Sequence, residues 1–209
     1  MTPSEFLDAV RDDNETALSR LGSSKSLYAA TGGEMDAGPV LEAAADAEYV
    51  AAQTFHAWTD SETDDAAREA FETTAAEEDG HADAVLAELD DYEPADDATG
   101  MQAYLRGLDD TVERAGALVG RILATEKSKE QLTGFFVGQA DPQTAGIFRD
   151  LKGDLDDQCE RALDLLEAVC DDDADWDAAK DAADAAIQAA YDEYTEQLES
   201  MGVNPKPVC

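Results

Sequence analysis

Apolar residues recur every three to four positions along most of this chain, so they would share one face if each segment were coiled as an α-helix. The pattern predicts helices at about residues 4–21, 39–60, 63–89, 117–137, 141–170 and 176–201. No segment shows the apolar-polar alternation or the enrichment in β-branched residues that strands require, and isoleucine occurs only three times. The sequence therefore predicts an all-α protein.

Breaks in the pattern divide the chain into three parts. A first helix and a glycine-containing connector make up residues 1–38, and the longest periodic region follows at 39–170. A run of three aspartates then precedes an alanine-rich helix and tail in residues 171–209. We expect the central part to form the main bundle and the last part to pack on it, because small residues let helix axes approach closely.

Three glycines complicate the region 101–138, where the helical period persists. Gly107, Gly116 and Gly120 make one straight helix of this length doubtful, because glycine weakens a helix interior. We expect a crossover helix here, followed by a separate bundle helix at about 117–137.

Charged residues interrupt three of the apolar stripes. Glu48 lies at the centre of one stripe, Glu78 and His81 lie in a second, and Glu126 lies in a third. Residues three apart share one face of a helix, so Glu78 and His81 would point the same way. Carboxylates inside a bundle are costly to ionise unless a cation or hydrogen-bond donors compensate them, so these positions indicate a site.

A divalent metal ion is one compensating cation. Three carboxylates offset its charge, and an imidazole ligand favours iron or manganese over calcium. The spacing of Glu78 and His81 is weak evidence alone, because 50 of the 209 residues are acidic. The position of all four residues in apolar stripes makes the evidence stronger.

The segment Glu-Glu-Asp-Gly-His-Ala-Asp-Ala-Val-Leu at residues 77–86 resembles the second bundle helix of ferritin-like, rubrerythrin-like proteins. In that family a Glu on one helix and a Glu-x-x-His on the next are repeated after a crossover to hold two iron or manganese ions. The resemblance implies a ferritin-like four-helix bundle with extra N-terminal, crossover and C-terminal helices. It also implies Glu48, Glu78, His81 and Glu126 as ligands of iron or manganese, with redox or oxygen-linked chemistry if metal is bound.

The fourth helix departs from the family pattern, because it has no second Glu-x-x-His. When its apolar stripe is aligned on that of the second helix, Leu155 and Gln158 take the two ligand positions. A shift of one residue would offer Asp156 and Cys159 instead, and we rank this alignment second. The site is therefore expected to be reduced, and to hold one metal ion rather than two.

Lys129 lies three residues after Glu126, where family members with a second carboxylate on this helix would place it. Its ammonium could replace the charge of a metal ion. Two outcomes are open: a site for one ion formed by Glu48, Glu78 and His81, with or without Glu126, or a metal-free network that pairs Lys129 with these carboxylates. A third reading has Lys129 reaching solvent from the edge of the bundle. The rival function is accordingly a metal-free interaction or scaffold protein.

The charge balance narrows the possible partners. Fifty acidic residues against 14 basic ones give a formal charge of −36, which would repel nucleic acid phosphates and anionic membranes. We expect self-association or a protein partner instead. The acid is spread along the whole chain and accompanies regular apolar stripes, a composition that resembles the proteins of salt-in halophilic archaea.

Other features point to a cytoplasmic protein. No basic segment followed by an apolar run begins the chain, and no stretch is apolar enough to span a bilayer. Cys159 and Cys170 are 11 residues apart on one predicted helix, about 16 Å by helical rise, which is too far for a disulfide. Cys209 is expected to be a free terminal thiol. The cysteine-rich electron-entry module of true rubrerythrins is absent from the sequence, which argues against peroxidase activity.

Overall fold

All regular structure in the computed structural model, which describes residues 1–205, is α-helical, so the all-α prediction is confirmed. The helices are α1 (Pro3–Asp13), α2 (Glu15–Leu21), α3 (Ser24–Ala30), α4 (Ala37–Ser61), α5 (Asp65–Leu86), α6 (Gly100–Arg106), α7 (Thr111–Gly138), α8 (Pro142–Val169) and α9 (Asp173–Ser200). None of these helices is long and apolar enough to cross a membrane. The prediction for Cys209 lies outside the described residues.

Aspartate side chains set the starts of four of the long helices. Asp64, Asp110, Asp141 and Asp172 each precede a helix and accept hydrogen bonds from backbone N–H groups of its first turn. These N–H groups have no partner within the helix, and an aspartate at this position satisfies them. Some of the many acidic residues in this sequence therefore fix where the helices begin.

The long helices pack as a bundle. α4 lies along α5, α7 lies along α8, and α5 contacts α8. On the other side α9 packs along α7, while α6 lies against α9 and α4. No extensive direct packing between α4 and α7 occurs in the described part of the chain, so a gap remains between these two helices.

The N-terminal segment differs from the prediction of one helix at 4–21. The helix breaks at Asn14, whose side-chain amide donates to the backbone carbonyl of Val10 at 2.8 Å and to Asp184 Oδ1 on α9 at 2.6 Å. The connector predicted at 22–38 likewise contains the short helix α3. Both differences bring the N-terminal segment into contact with α9, a long-range contact that local sequence does not encode.

The expected division of the region 101–138 into two helices is confirmed, because the short helix α6 precedes the separate bundle helix α7. The break lies at 107–110, next to Gly107, so α7 begins at Thr111 rather than at about 117 and runs without interruption through Gly116 and Gly120. A Cβ on Gly116 would lie 2.0 Å from the carbonyl oxygen of Ala179, and one on Gly120 would lie 2.3 Å from that of Ala183. These glycines therefore allow the backbones of α7 and α9 to touch, and they do not end a helix.

Candidate functional site

Three residues from α4 and α5 converge at the centre of the bundle. Glu48, Glu78 and His81 are all buried, and one ligand-type atom from each lies within 4.8 Å of the others. The apolar stripes on which they were predicted turn inward where α4 packs along α5. The structure thus brings together three of the four residues that the sequence selected.

Both oxygens of Glu78 are held by a residue that the sequence reasoning missed. Arg121 on α7 donates from Nη1 to Glu78 Oε1 at 2.9 Å and from Nη2 to Oε2 at 2.6 Å. Gln158 on α8 donates to the same Oε1 at 2.8 Å and accepts from Arg121 Nη1 at 3.0 Å. Burial favours the neutral acid, but the guanidinium charge outweighs it and holds the pKa of Glu78 well below its usual range.

Glu48 is paired with Lys129. The ammonium of Lys129 donates to Glu48 Oε1, and the residue is only 1% exposed. The reading in which Lys129 reaches solvent from the bundle edge is therefore wrong. Lys129 instead provides a buried positive charge opposite a buried negative one.

His81 lies between the two carboxylates and a third one nearer the surface. Its Nε2 is 3.1 Å from Asp154 Oδ2 on α8, and the Asp154 side chain is largely exposed. Its Nδ1 is 3.6 Å from Glu78 Oε1 and 3.9 Å from Glu48 Oε2, and it has no hydrogen-bond partner within residues 1–205. Burial lowers the pKa of His81, but attraction to Glu78 and Glu48 outweighs burial and raises it above the ordinary value.

The charges at this site balance without a metal ion. Arg121 offsets Glu78 and Lys129 offsets Glu48, while a protonated His81 would offset Asp154. A divalent ion would find one fitting donor in the unpartnered Nδ1 of His81. The carboxylates fit less well, because both Glu78 oxygens and one Glu48 oxygen already accept hydrogen bonds from cations.

Glu126, the fourth predicted ligand, does not join this group. Its carboxylate is partly exposed and lies 3.3 Å from Lys152 Nζ on α8. By helical spacing, the apolar stripe that carries Glu126 would run from Ile122 to Val137, but Val137 is 57% exposed. The buried stripe passes instead through Lys129, Leu132 and Phe136. Leu132 and Phe136 belong to a core cluster with residues of α3, α4, α5 and α8, and this cluster fixes which face of this end of α7 is buried.

Burial of residues on α8, the fourth helix of the predicted bundle, decides between the two alignments of its stripe with that of the second bundle helix. Leu155 packs in the core and Gln158 reaches Glu78, as the first alignment placed them. Asp156 and Cys159, the second-ranked pair, line a separate cleft of about 340 Å³ beside Glu126. Burial raises the pKa of the Cys159 thiol, so it is a poor thiolate ligand.

Arg121 belongs to a series of three buried cations on α7. Arg114, Arg121 and Lys129 are spaced by seven and eight residues, close to two helical turns, so they share one face. They pair with Glu62 at 3.2 Å, with Glu78 and with Glu48, respectively. This periodicity of basic residues in an otherwise acidic chain is the signal in the sequence that could have identified Arg121.

A cleft of about 450 Å³ fills the gap between α4 and α7 and reaches this network. Glu48, Arg121 and Lys129 form its polar floor, and leucine, methionine and alanine side chains from α2, α3, α4, α6 and α9 contribute to its walls. The charge network therefore borders this cleft on one side of the bundle, although Glu48, Arg121 and Lys129 are at most 3% exposed.

Searches of known protein families, curated proteins and solved structures found no match to this chain. The fold and the site define a helical-bundle protein with a buried carboxylate and histidine group whose carboxylates are balanced by cations of the chain itself.

Proposed function

We propose that this protein is a ferritin-like bundle in which Arg121 and Lys129 take the place of metal ions, and that it functions as an interaction or scaffold protein rather than a redox enzyme. One observation carries the proposal: each buried carboxylate of the group is paired with a buried cation from α7. The ferritin-like relationship rests on the order of Glu48, Glu78 and His81 in the chain and on their convergence.

Electrostatics supports this proposal. Two neighbouring cations already neutralise Glu48 and Glu78, so a divalent ion added beside them would introduce uncompensated positive charge in a buried region. It would also have to displace the bidentate ion pair between Arg121 and Glu78, a strong charge-assisted contact. The protein cations therefore compete directly with a metal ion for the same oxygens.

A second candidate function is binding of one iron or manganese ion. It is favoured by His81, whose Nδ1 is unpartnered among the described residues while Asp154 holds Nε2. Metal-binding histidines commonly have such a carboxylate on the other ring nitrogen, because it fixes the tautomer. Glu48, Glu78 and His81 would then be the ligands, and the ion would supply redox or oxygen-linked chemistry.

Melting in the presence of Mn(II), measured in molar KCl, separates the two candidates. A ligand that binds only the folded state stabilises it by about 2.7 kcal/mol at a hundredfold excess over Kd. We expect no rise in the melting temperature of the wild type with Mn(II). We expect a rise for Lys129→Met, because removal of the ammonium leaves Glu48 free to bind a cation.

Lys152→Met is the matched control, since it removes a lysine from a surface pair with Glu126. It should respond to Mn(II) as the wild type does. Stabilisation of the wild type by Mn(II) that is lost in His81→Gln would instead establish the second candidate. Metal analysis of the purified protein provides an independent check.

A further inference from the structure

The cleft between α4 and α7 has the form of a small-molecule site. Its volume of about 450 Å³ falls in the range of ligand pockets in proteins. Leu27 and Met101 contribute apolar surface, and Ala43 and Ala124 keep the space open because their side chains are small. The mouth is bordered by the exposed residues Ala47 and Ser128.

The floor of the cleft offers hydrogen-bond donors. The ammonium of Lys129 has three N–H bonds and donates one to Glu48. Arg121 is 1% exposed, and its buried Nε–H meets no acceptor in the part of the chain that the structure describes. Both side chains line the cleft. An acceptor atom at the floor would satisfy groups that are costly to leave unpaired.

The charged residues at the floor and rim of the cleft favour a neutral ligand. The floor pairs cancel, so a charged group placed there would be buried without compensation. Asp46, Asp97 and Glu193 also line the cleft and, with the charge of −36, repel anions. A cationic group would approach this rim but would face Lys129 and Arg121 at the floor.

We propose that this cleft binds a neutral, largely apolar organic molecule, and that a carbonyl or hydroxyl oxygen of the ligand accepts a hydrogen bond from Lys129 or Arg121. The neutrality of the floor follows from the cation pairs, so this inference rests on the proposed function.

Prodan, a neutral naphthyl ketone whose emission shifts when its carbonyl accepts a hydrogen bond, is a suitable probe. Titrated into wild-type protein in molar KCl, it should bind saturably at one site per chain. Ala47→Phe and Ser128→Phe narrow the mouth and should each weaken binding at least tenfold. Ala66→Phe, an exposed alanine on α5 away from the cleft, is the matched control and should change binding less than twofold.

The floor is tested by the double variant Glu48→Gln with Lys129→Met, which removes both charges and leaves the core neutral. It should bind prodan more weakly, with emission shifted to shorter wavelength. The anionic probe 1-anilinonaphthalene-8-sulfonate should not displace prodan. Absence of saturable prodan binding, or equal binding by the wild type and both mouth variants, would overturn the inference.

The two proposals fail separately. Stabilisation of the wild type by Mn(II) would exclude the proposed function, whether or not prodan binds. If prodan does not bind and Mn(II) does not stabilise the wild type, only the proposed ligand site is excluded.

Discussion

At the scale of single residues, the pair formed by Lys129 and Glu48 is the most testable contact. Both side chains are buried, so Lys129→Met leaves the Glu48 carboxylate without compensation. Breaking a buried pair in this way costs about 3 to 5 kcal/mol of the free energy of unfolding. Adding Glu48→Gln removes the stranded charge and should recover most of the loss, as denaturant unfolding of the four proteins in a double-mutant cycle would measure.

Lys152→Met provides the comparison for this cycle. Lys152 is about one third exposed and pairs with the partly exposed Glu126 and Glu130, so its loss should cost less than about 1 kcal/mol. Equal costs for the two lysine variants would contradict the buried pairing of Lys129.

His81 makes stability depend on pH. Its pKa is raised in the folded protein, so its contribution is complete below the unfolded pKa of about 6.5 and is lost as pH rises through the folded value. The free energy of unfolding should therefore fall with pH above about 6.5, by at most about 1.4 kcal/mol per pH unit for one proton.

The measurement is chemical unfolding between about pH 6 and 8.5, with a chelator present and with His56→Gln as the background, because His56 is the only other histidine. Adding His81→Gln should flatten the profile. A profile that keeps the same slope without His81 would assign the dependence to other groups.

At the scale of helices, the close approach of α7 and α9 depends on glycine. Gly120→Ala places a methyl group against the carbonyl of Ala183 and should destabilise the protein by about 1 to 3 kcal/mol, the usual cost of overpacking. Gly134→Ala is the same change in the same helix, but no atom lies within 4 Å of the added Cβ. It should stabilise the protein by about 0.5 to 1 kcal/mol, because alanine favours a helix interior.

Thermal or denaturant unfolding of the two variants side by side checks this prediction. Because propensity alone would stabilise both, opposite signs isolate the contact with α9. A stabilised Gly120→Ala variant would mean that α9 is not packed against α7 in solution.

The three buried cations of α7 also join this helix to its neighbours. They reach Glu62 and Glu48 on the α4 side and Glu78 on α5, across a gap where α4 and α7 have little direct packing. Ion pairs thus replace part of the apolar contact between these helices, and the cleft lies in the space that remains.

At the scale of the whole molecule, a formal charge of −36 on 209 residues should make the fold dependent on salt. At about 1 M salt the Debye length is only about 3 Å, so repulsion between surface carboxylates is screened. Circular dichroism at 222 nm should show a cooperative melt in molar KCl and a weakened, less cooperative one at millimolar ionic strength. Equal melting at both ionic strengths would remove the interpretation as a halophilic protein.

Much of the architecture follows from local pattern. Helical periodicity identified the long helices and the inward faces of α4 and α5, because the spacing of apolar residues shows which face of a helix is buried. The same spacing selected Glu48, Glu78 and His81 as interior residues. Asp141 and Pro142 marked the start of α8 for an equally local reason.

Only the tertiary structure decided which groups meet. Along the 28 residues of α7 the covered face changes with the neighbours α8, α9 and the N-terminal helices, and this excluded Glu126 and placed Lys129 and Arg121 inside. The role of Gly116 and Gly120 likewise depends on a helix about 60 residues away in sequence. The sequence thus determined that carboxylates would be buried, whereas the choice of their cations depended on how separate helices rotate and pack against one another.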